Sequence, residues 1–454
     1  MMINLANKLL SNVTLRNTFV SLRHLSTSKD SDQKNLGEDK TIVSNETKVK
    51  ANNLESKKEE TEIETKLKDD DNKYYTRAST TLSTGGLRLQ WNHAENILMS
   101  MFGADFLRDA KRNLSILDGE PPDVSFTPQG FLTLATEEQA EKMIENHKIQ
   151  IELGALVELY TAERIKQKFP HINTNGIVLG SYGVQNEGWF DPWALLLSTK
   201  AKANSLGAEF VHADVIDFNF RRQNGNLDEM DEIRDTCNYV IVREPDGSVK
   251  QIEFAFGVIC CGPDSGFIAE KLGYGHRGGV RSIPFPVEAR KRYVYTLNSK
   301  DGPGLDFPFL IDPSGVYCRR EGLGGNFLCG RSPMPEDEPD GSNLDVDYNY
   351  FESAIRPHLV KRVPSFESAK VRGGWSGFYD HCRHDQNPII GYDPYYQNLI
   401  WATGFGGRGL QMGPAIGRAV MEMIIYGNYK TIDLSRYSWN RIIQNRALSQ
   451  ELIT

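Results

Sequence analysis

The stretch 398–427, NLIWATGFGGRGLQMGPAIGRAVMEMIIYG, decides the fold, because a short apolar strand runs into a glycine-rich turn and then into a helix. Residues 399–402 predict the strand, Pro414 is expected in the first helical turn, and Gly427 is expected as the C′ cap. The first N–H groups of a helix favour an electron-rich or anionic group at such a turn. Tight packing of the backbone is the alternative explanation of the glycines.

Four segments together resemble the FAD-dependent D-amino-acid and sarcosine oxidase family. The turn and helix look like that family's C-terminal flavin motif. The other three segments, in the order of the family, are RASTTLSTGGLRLQW at 77–91, EGWFDPWALL at 187–196 and GVICCGPDSGFIAEKLG at 257–273. The resemblance covers about 75–437. It implies an α/β fold, in which a Rossmann-like FAD-binding domain is interleaved with a mixed-sheet substrate domain.

The first part of the family pattern is missing. Members of the family open with a strand, a G-x-G-x-x-G turn, a helix and a second strand, the unit that binds ADP. No such fingerprint precedes Tyr75, so the Rossmann-like domain is expected to lack its first βαβ unit. Residues 29–73 are rich in lysine and acids and contain no aromatic residue, which predicts a disordered linker in which Asp70 is one acid of a charge run. Two explanations stay open: an incomplete gene model or splice form, or a loss of tight FAD binding.

The resemblance implies a set of positions that contact the flavin. They are Ser79, Ser83, Gly85, Gly86, Gly262, Gly404, Gly406, Gly407, Arg408, Gly409 and Leu410. For the pair of glycines at 85 and 86, simple tight packing is the alternative. A cation at Arg408 would either stabilise the reduced ring or point to solvent. The flavin is expected to be FAD bound non-covalently, because the family's attachment position falls closer to Phe378 than to Cys382.

The resemblance also implies a residue for the substrate. Relatives that oxidise amino acids hold the substrate carboxylate with an arginine on the strand that matches VYCRREG at 316–322. Arg319 or Arg320 is the candidate, since a guanidinium binds a carboxylate through two hydrogen bonds. The alternative is an ordinary solvated strand edge. No metal is expected at the cluster of His381, Cys382, His384 and Asp385, because ligands so close in a strand do not converge.

Composition and the N-terminal sequence limit the possible partners and cellular location of the protein. The net charge of −8 argues against a general nucleic-acid binder, and no apolar run reaches the length of a bilayer span. Residues 1–28 are basic, rich in hydroxylated residues and amphipathic, which predicts a mitochondrial transit peptide. The remaining expected divisions are a linker at 29–73, an oxidoreductase domain at 74–440 (FAD parts about 74–115, 190–275 and 385–430; substrate parts about 120–190 and 280–384) and a C-terminal tail at 441–454.

Two functions are expected. The first is oxidation of an unidentified amine or amino acid by a mitochondrial FAD-dependent oxidoreductase. The resemblance extends to a mitochondrial member of the family that acts in the assembly of respiratory complex I, which implies contacts with complex I subunits or assembly intermediates. It also implies a location on the matrix side, peripheral to the inner membrane. The alternative is a non-catalytic assembly or binding factor that keeps the fold and has lost tight FAD binding.

Three local patterns complete the expectations. Asp191 followed by Pro192 predicts the start of a helix. Residues 252–260 are expected as one strand that follows a turn at Asp246–Gly247. Residues 307–318 are expected as a second uninterrupted strand of the substrate domain.

Overall fold

The computed structural model describes residues 75–117, 119–221 and 236–448. The expected transit peptide, the charged linker and Asp70 lie outside the described residues. The strands are β1 Gly86–Leu87, β2 Phe131–Ala135, β3 Val157–Thr161, β4 Leu179–Gly183, β5 Gly188–Trp189, β6 Asp214–Arg221, β7 Thr236–Arg243, β8 Val249–Glu253, β9 Gly257–Ile259, β10 Val287–Asn298, β11 Phe309–Ile311, β12 Val316–Glu321, β13 Asn326–Arg331, β14 Lys370–Cys382, β15 Ile389–Tyr392 and β16 Leu399–Thr403.

The helices are α1 Ala94–Arg108, α2 Ala110–Leu114, α3 Glu137–Glu152, α4 Ala162–Lys168, α5 Pro192–Ser205, α6 Ser265–Lys271, α7 Tyr348–Tyr350, α8 Arg356–Arg362, α9 Gly409–Tyr426 and α10 Asn440–Ile443. A π-helical turn, Phe351–Ile355, joins α7 to α8. The cap predicted for α5 is confirmed, because the Asp191 carboxylate accepts the N–H groups of Trp193 and Ala194. None of the described helices is long and apolar enough to cross a membrane.

One large mixed sheet dominates the molecule. Its eight strands follow the order β14-β10-β13-β12-β11-β2-β4-β3, and only β11 and β2 pair in parallel. One face of this sheet packs against α4, α7 and α8 around an aromatic core that includes Tyr295, Phe327 and Phe351. Burial of such large side chains supplies most of the stability of a domain of this size. The other face carries the residues of the candidate site.

A second, three-stranded sheet of order β15-β16-β9 lies at the start of α9. Apolar clusters cover both of its faces, with Trp401 on one side and Ile400 on the other. Within the described residues, β9 pairs with β16 alone, so its outer edge carries no strand. The meander β6-β7-β8 and the pair β1-β5 complete the described sheets. A mixed α/β architecture of the expected class is therefore confirmed.

Two of the expected strands are divided. Residues 252–260 split between β8, which is the edge of the meander, and β9, which joins the buried three-stranded sheet. Residues 307–318 split at a turn, where the N–H of Gly315 donates to the carbonyl of Asp312 at 2.9 Å. The Asp312 carboxylate stabilises that turn by accepting the N–H of Ser314. This sequence forms a hairpin rather than one strand.

The C-terminal boundary also differs from the expected one. Arg441 and Ile442 were expected in a tail but are buried. The Arg441 guanidinium binds both carboxylate oxygens of Asp385, at 2.8 and 3.0 Å. The chain therefore continues as part of the domain to Leu448, whose N–H also donates to Asp385.

Candidate functional site

Asp380 on β14 sets the shape of the glycine turn. Its carboxylate accepts the N–H groups of Gly404, Phe405 and Gly406 at 2.8, 3.0 and 3.2 Å. Burial raises the pKa of Asp380, although these three hydrogen bonds act in the opposite direction. The first half of the turn therefore binds a carboxylate of the chain itself. The N–H groups that could bind a ligand therefore lie in the second half of the turn.

The amide groups of the second half are unpartnered. The N–H groups of Gly407, Gly409 and Leu410 donate no hydrogen bond within the part of the chain that the structure describes. Gly407 is exposed, and a φ of +86° there is easily adopted only by glycine. Because α9 has eighteen residues, its dipole adds positive potential at this end. The predicted C′ cap at Gly427 is present with φ +72°, whereas Pro414 lies in the second turn rather than the first.

Two arginines make the same region strongly positive. The Arg88 guanidinium lies 4.1 Å from the ring centroid of Trp91, and that of Arg408 lies 5.4 Å from the same ring. Desolvation, followed by repulsion from Arg408, lowers the pKa of Arg88 to about 10. The Arg88 guanidinium has no hydrogen-bond partner among the described residues. An anion beside these groups would relieve their repulsion.

Arg408 does not point to solvent. It is 9% exposed, its Nε donates to the carbonyl of Phe405 at 3.0 Å and its Nη2 donates to the carbonyl of Gln386. Its Nη1 is buried without a partner. Arg408 thus ties the glycine turn to the loop after β14 and adds charge from behind.

The large sheet contributes a wall opposite the helix start. Tyr379 places its ring directly against Gly407, and electrostatic interactions couple Tyr379 to Tyr317 and to Arg88. Tyr317 and Arg319 point to the same face, because they alternate along β12. We call the space between Arg88, Tyr317, Arg319, Tyr379 and Gly407 the helix-start recess. Its phenols stay protonated at neutral pH, since desolvation raises the pKa of both tyrosines.

The structure separates the two candidate arginines. Arg319 faces the helix-start recess, where its Nε donates to the carbonyl of Thr84 at 2.8 Å and its Nη1 binds the Arg320 carbonyl and the Glu321 carboxylate. No hydrogen bond involves its Nη2 within the described residues. Arg320 lies on the opposite face, where it donates to the carbonyls of Pro303 and Leu323 at 2.7 and 2.9 Å. Arg320 therefore holds a loop in place.

Several of the positions expected to contact the flavin also make close contacts within the protein. A Cβ on Gly85 would collide with the carbonyl of Phe190, and one on Gly86 would lie 3.1 Å from both Phe131 and Phe309. Ser79 donates to the carbonyl of Phe378 at 2.7 Å, and Ser83 accepts the N–H of Gly85. Leu410 packs in an apolar cluster with Leu87 and Phe190. Close packing therefore favours glycine at positions 85 and 86, and the expected flavin contacts of these residues stay a prediction.

Gly262, by contrast, has free space beside it, as a flavin-contacting position requires. It follows β9 with φ +53°, and no atom lies within 4 Å of the position that a Cβ would occupy. The Thr403 hydroxyl donates to its carbonyl at 3.3 Å, which places the turn after β9 beside the turn after β16. Cys260, two residues before Gly262, is exposed.

Four residues of the site were not identified from sequence, namely Arg88, Glu187, Tyr379 and Asp380. Glu187 is fully buried, and desolvation raises its pKa to about 7. Its carboxylate accepts the Leu89 N–H at 2.7 Å and the Gln90 amide at 2.8 Å, so it fixes the backbone that follows Arg88. An acid with no capping role at the start of the largely apolar motif EGWFDPWALL is the signal that would have found it.

The cluster at 381–385 is structural. Arg441 and backbone N–H groups occupy the Asp385 carboxylate. Cys382 is fully buried, and desolvation raises the pKa of its thiol to about 11. Across the described ranges, no group of three or more histidines, cysteines and acids is placed to hold a metal ion.

Comparisons with known proteins agree with this arrangement. Residues 70–423 match the family model described as FAD dependent oxidoreductase. FAD-dependent oxidoreductase domain-containing protein 1 of Xenopus laevis is 45% identical over 383 residues, which cover 84% of this chain and 77% of that protein. The homolog of that protein in Drosophila melanogaster is 41% identical over 381 residues, covering 82% of this chain and 72% of that protein.

Solved structures show the same fold at lower identity. L-proline dehydrogenase from P. horikoshii aligns with a TM-score of 0.67 and 20% identity, over 81% of this chain and 89% of that chain. Glycine oxidase from Geobacillus kaustophilus aligns with a TM-score of 0.62 and 17% identity, over 79% and 88%. The match of the family model to most of the chain, together with relatives above 40% identity, shows that the chain belongs to the FAD dependent oxidoreductase family.

Proposed function

We propose that the chain binds FAD non-covalently and oxidises the CH–NH group of an amino or imino acid. One observation carries this proposal: amides at the start of α9 and the guanidinium of Arg88, which make no hydrogen bond within the described residues, converge on the helix-start recess. Relatives named L-proline dehydrogenase and glycine oxidase support the class of substrate. The buried, weakly acidic thiol of Cys382 supports non-covalent binding.

The residues present fit the ring end of a flavin. An electron-rich ring edge placed in the recess would accept hydrogen bonds from the N–H groups of Gly407 and Gly409, which are otherwise orphaned at a helix terminus. It would also lie beside Arg88, whose repulsion by Arg408 a negative partner relieves. When bound, the flavin would supply the hydride acceptor.

The other residues position and shield the substrate. The free Nη2 of Arg319 is available for one oxygen of a substrate carboxylate on the sheet side of the recess. Tyr317 and Tyr379 can donate hydrogen bonds as neutral phenols. The stacked rings of Phe131 and Phe309, 4.1 Å apart, form an apolar wall that limits water.

Reconstitution with FAD tests the proposal. The purified chain would be mixed with FAD under anaerobic conditions and then given glycine, L-proline, D-alanine, sarcosine or iminodiacetate. We expect loss of the visible absorbance of the protein-bound flavin with at least one of these compounds. Bound flavin that none of them reduces would remove the proposed substrate class, and absence of bound flavin would remove the oxidoreductase function itself.

We also propose a mitochondrial location on the matrix side and contacts with assembly intermediates of complex I. The basic, amphipathic residues 1–28 support the location, and the resemblance stated above supports the partner. A fluorescent fusion of residues 1–28 should enter mitochondria. When the chain is expressed in cells whose own copy of the protein has been removed, it should co-migrate with complex I intermediates on native gels.

The alternative is a binding factor without turnover. The outer edge of β9 favours it, because no described strand pairs with that edge and the ADP-binding unit of the family would add a strand there. The Arg319→Lys variant separates the two proposals in cells. Restored complex I together with lost amino-acid oxidation would favour the binding factor, whereas joint loss of both favours the enzyme.

A further inference from the structure

The described residues provide hydrogen-bond donors and positive charge for a flavin ring, but they do not provide the structural unit that normally binds the ADP half of FAD. A dinucleotide is normally held by a strand, a glycine turn and a helix whose N-terminus faces the pyrophosphate, followed by a strand with an acid for the ribose. In the described residues, no strand pairs with the outer edge of β9, where such a unit would join the sheet. No G-x-G-x-x-G pattern stands before Tyr75 in the sequence.

The turn after β9 cannot replace that unit. Pro263 has no N–H, and the N–H of Asp264 donates to the carbonyl of Cys261 at 3.1 Å. The Ser265 hydroxyl is already engaged, because it forms a hydrogen bond of 2.6 Å with the Thr403 hydroxyl. Residues 257–265 contain no lysine or arginine that would attract a pyrophosphate. The following helix, α6, has seven residues and adds little dipole.

The turn after β16 contains a G-x-G-x-x-G pattern, GFGGRG at 404–409, but a carboxylate of the chain already binds its first half. Asp380 occupies the N–H groups of Gly404 to Gly406, so a phosphate there would have to displace a carboxylate held by three hydrogen bonds. After α9 no strand returns beside β16, since the neighbours of β16 are β15 and β9. This turn therefore serves a neutral or weakly anionic ring edge rather than a pyrophosphate.

We propose that this chain recognises the isoalloxazine ring alone and does not discriminate among riboflavin, FMN and FAD, an inference that rests on the proposed function. The ring is held at the start of α9 by the amides of Gly407 and Gly409 and by Arg88. The ribityl chain leaves past the open position at Gly262. Phosphate and adenosine extend along the edge of β9 that no strand of the described residues covers, so they add little binding free energy.

Fluorescence titration of the full chain tests this inference. Riboflavin, FMN and FAD should bind with dissociation constants within about threefold of one another. ADP should not displace riboflavin at concentrations about a hundredfold above the riboflavin dissociation constant. FAD that binds about thirtyfold or more tightly than riboflavin, or ADP that competes with it, would overturn the inference and leave the proposed flavoenzyme intact. Failure of all three flavins to bind would overturn both.

Matched variants locate the binding. Arg88→Met should weaken all three flavins by a similar factor of about ten, because it removes a charge that contacts the shared ring. Arg112→Met is the control, since the Arg112 side chain is 72% exposed and pairs with Asp109 on the surface. A loss confined to FAD in Arg88→Met would instead mean that Arg88 binds the diphosphate, and this inference would be wrong.

Discussion

Tyr379 on β14 holds its phenol ring against the backbone of Gly407, so that a Cβ at position 407 would lie 2.5 Å from the ring. The large sheet and the start of α9 therefore touch at a point with no room for a side chain. The helix-start recess opens beside this contact, and its width depends on Gly407.

Gly407→Ala should destabilise the protein by about 2–4 kcal/mol and weaken flavin binding. The new methyl group collides with Tyr379, and a φ of +86° is unfavourable for alanine. Chemical denaturation would measure the first effect and flavin fluorescence the second. Gly417→Ala, in the exposed side of the same helix with no atom within 4 Å of its Cβ position, should stabilise by roughly 0.5–1 kcal/mol. Equal effects of the two substitutions would contradict the contact.

Arg319→Lys and Arg320→Lys should behave differently. The first removes the guanidinium that faces the helix-start recess, so KM for an amino-acid substrate should rise about tenfold or more with a smaller change in kcat. The second breaks hydrogen bonds to Pro303 and Leu323, so it should lower thermal stability and leave KM nearly unchanged. Steady-state kinetics and melting curves of both variants provide the comparison. If KM rose only in Arg320→Lys, Arg320 rather than Arg319 would be the residue that binds the substrate carboxylate.

The stability of the protein should depend on Glu187 through pH. Burial raises the Glu187 pKa from 4.5 to about 7, so the protonated folded state is favoured. This contribution is complete below pH 4.5 and is lost as pH rises through about 7. Between about pH 5 and about pH 8, the wild type should lose about 2.5 kcal/mol of unfolding free energy relative to Glu187→Gln.

Urea unfolding of both proteins across this pH range measures that difference. Glu145→Gln serves as the control, because the Glu145 side chain is 54% exposed. Its difference from the wild type should stay flat within about 0.5 kcal/mol. A flat difference for Glu187→Gln as well would mean that Glu187 is not held in a desolvated site.

The buried ion pair of Arg441 and Asp385 should make the C-terminal residues essential for folding. Arg441→Met leaves a buried carboxylate without its partner and should cost about 3–5 kcal/mol. The exposed pair of Arg112 and Asp109 provides the comparison, and Arg112→Met should change stability by less than about 0.5 kcal/mol. Denaturant midpoints of the two variants give the test. A small effect at Arg441 would show that the segment after 440 is a dispensable tail.

Sequence predicted the elements whose chemistry is local. The cap at Asp191, the C′ glycine at 427 and the turn after β16 each follow from residues a few positions apart. Arg88, Tyr379 and Asp380 meet through contacts between strands and loops about three hundred residues apart in the chain, which periodicity does not report. The register of β12 decides which face of the sheet Arg319 and Arg320 each point to. Sequence alone could not decide this, because a solvated strand edge and a ligand site can contain the same residue types.

The parallel pairing of β2 with β11 has a consequence for how the protein is made. Phe131 pairs with Phe309, so the ribosome must add nearly two hundred residues after β2 before that strand finds its parallel neighbour. All five residues of β2 are buried in the finished sheet, and although β4 can pair with one edge of β2 earlier in synthesis, the edge that faces β11 stays unpaired until then. Nascent chains stalled before residue 309 should therefore bind chaperones that hold extended apolar segments, and folding should accelerate once β11 has emerged.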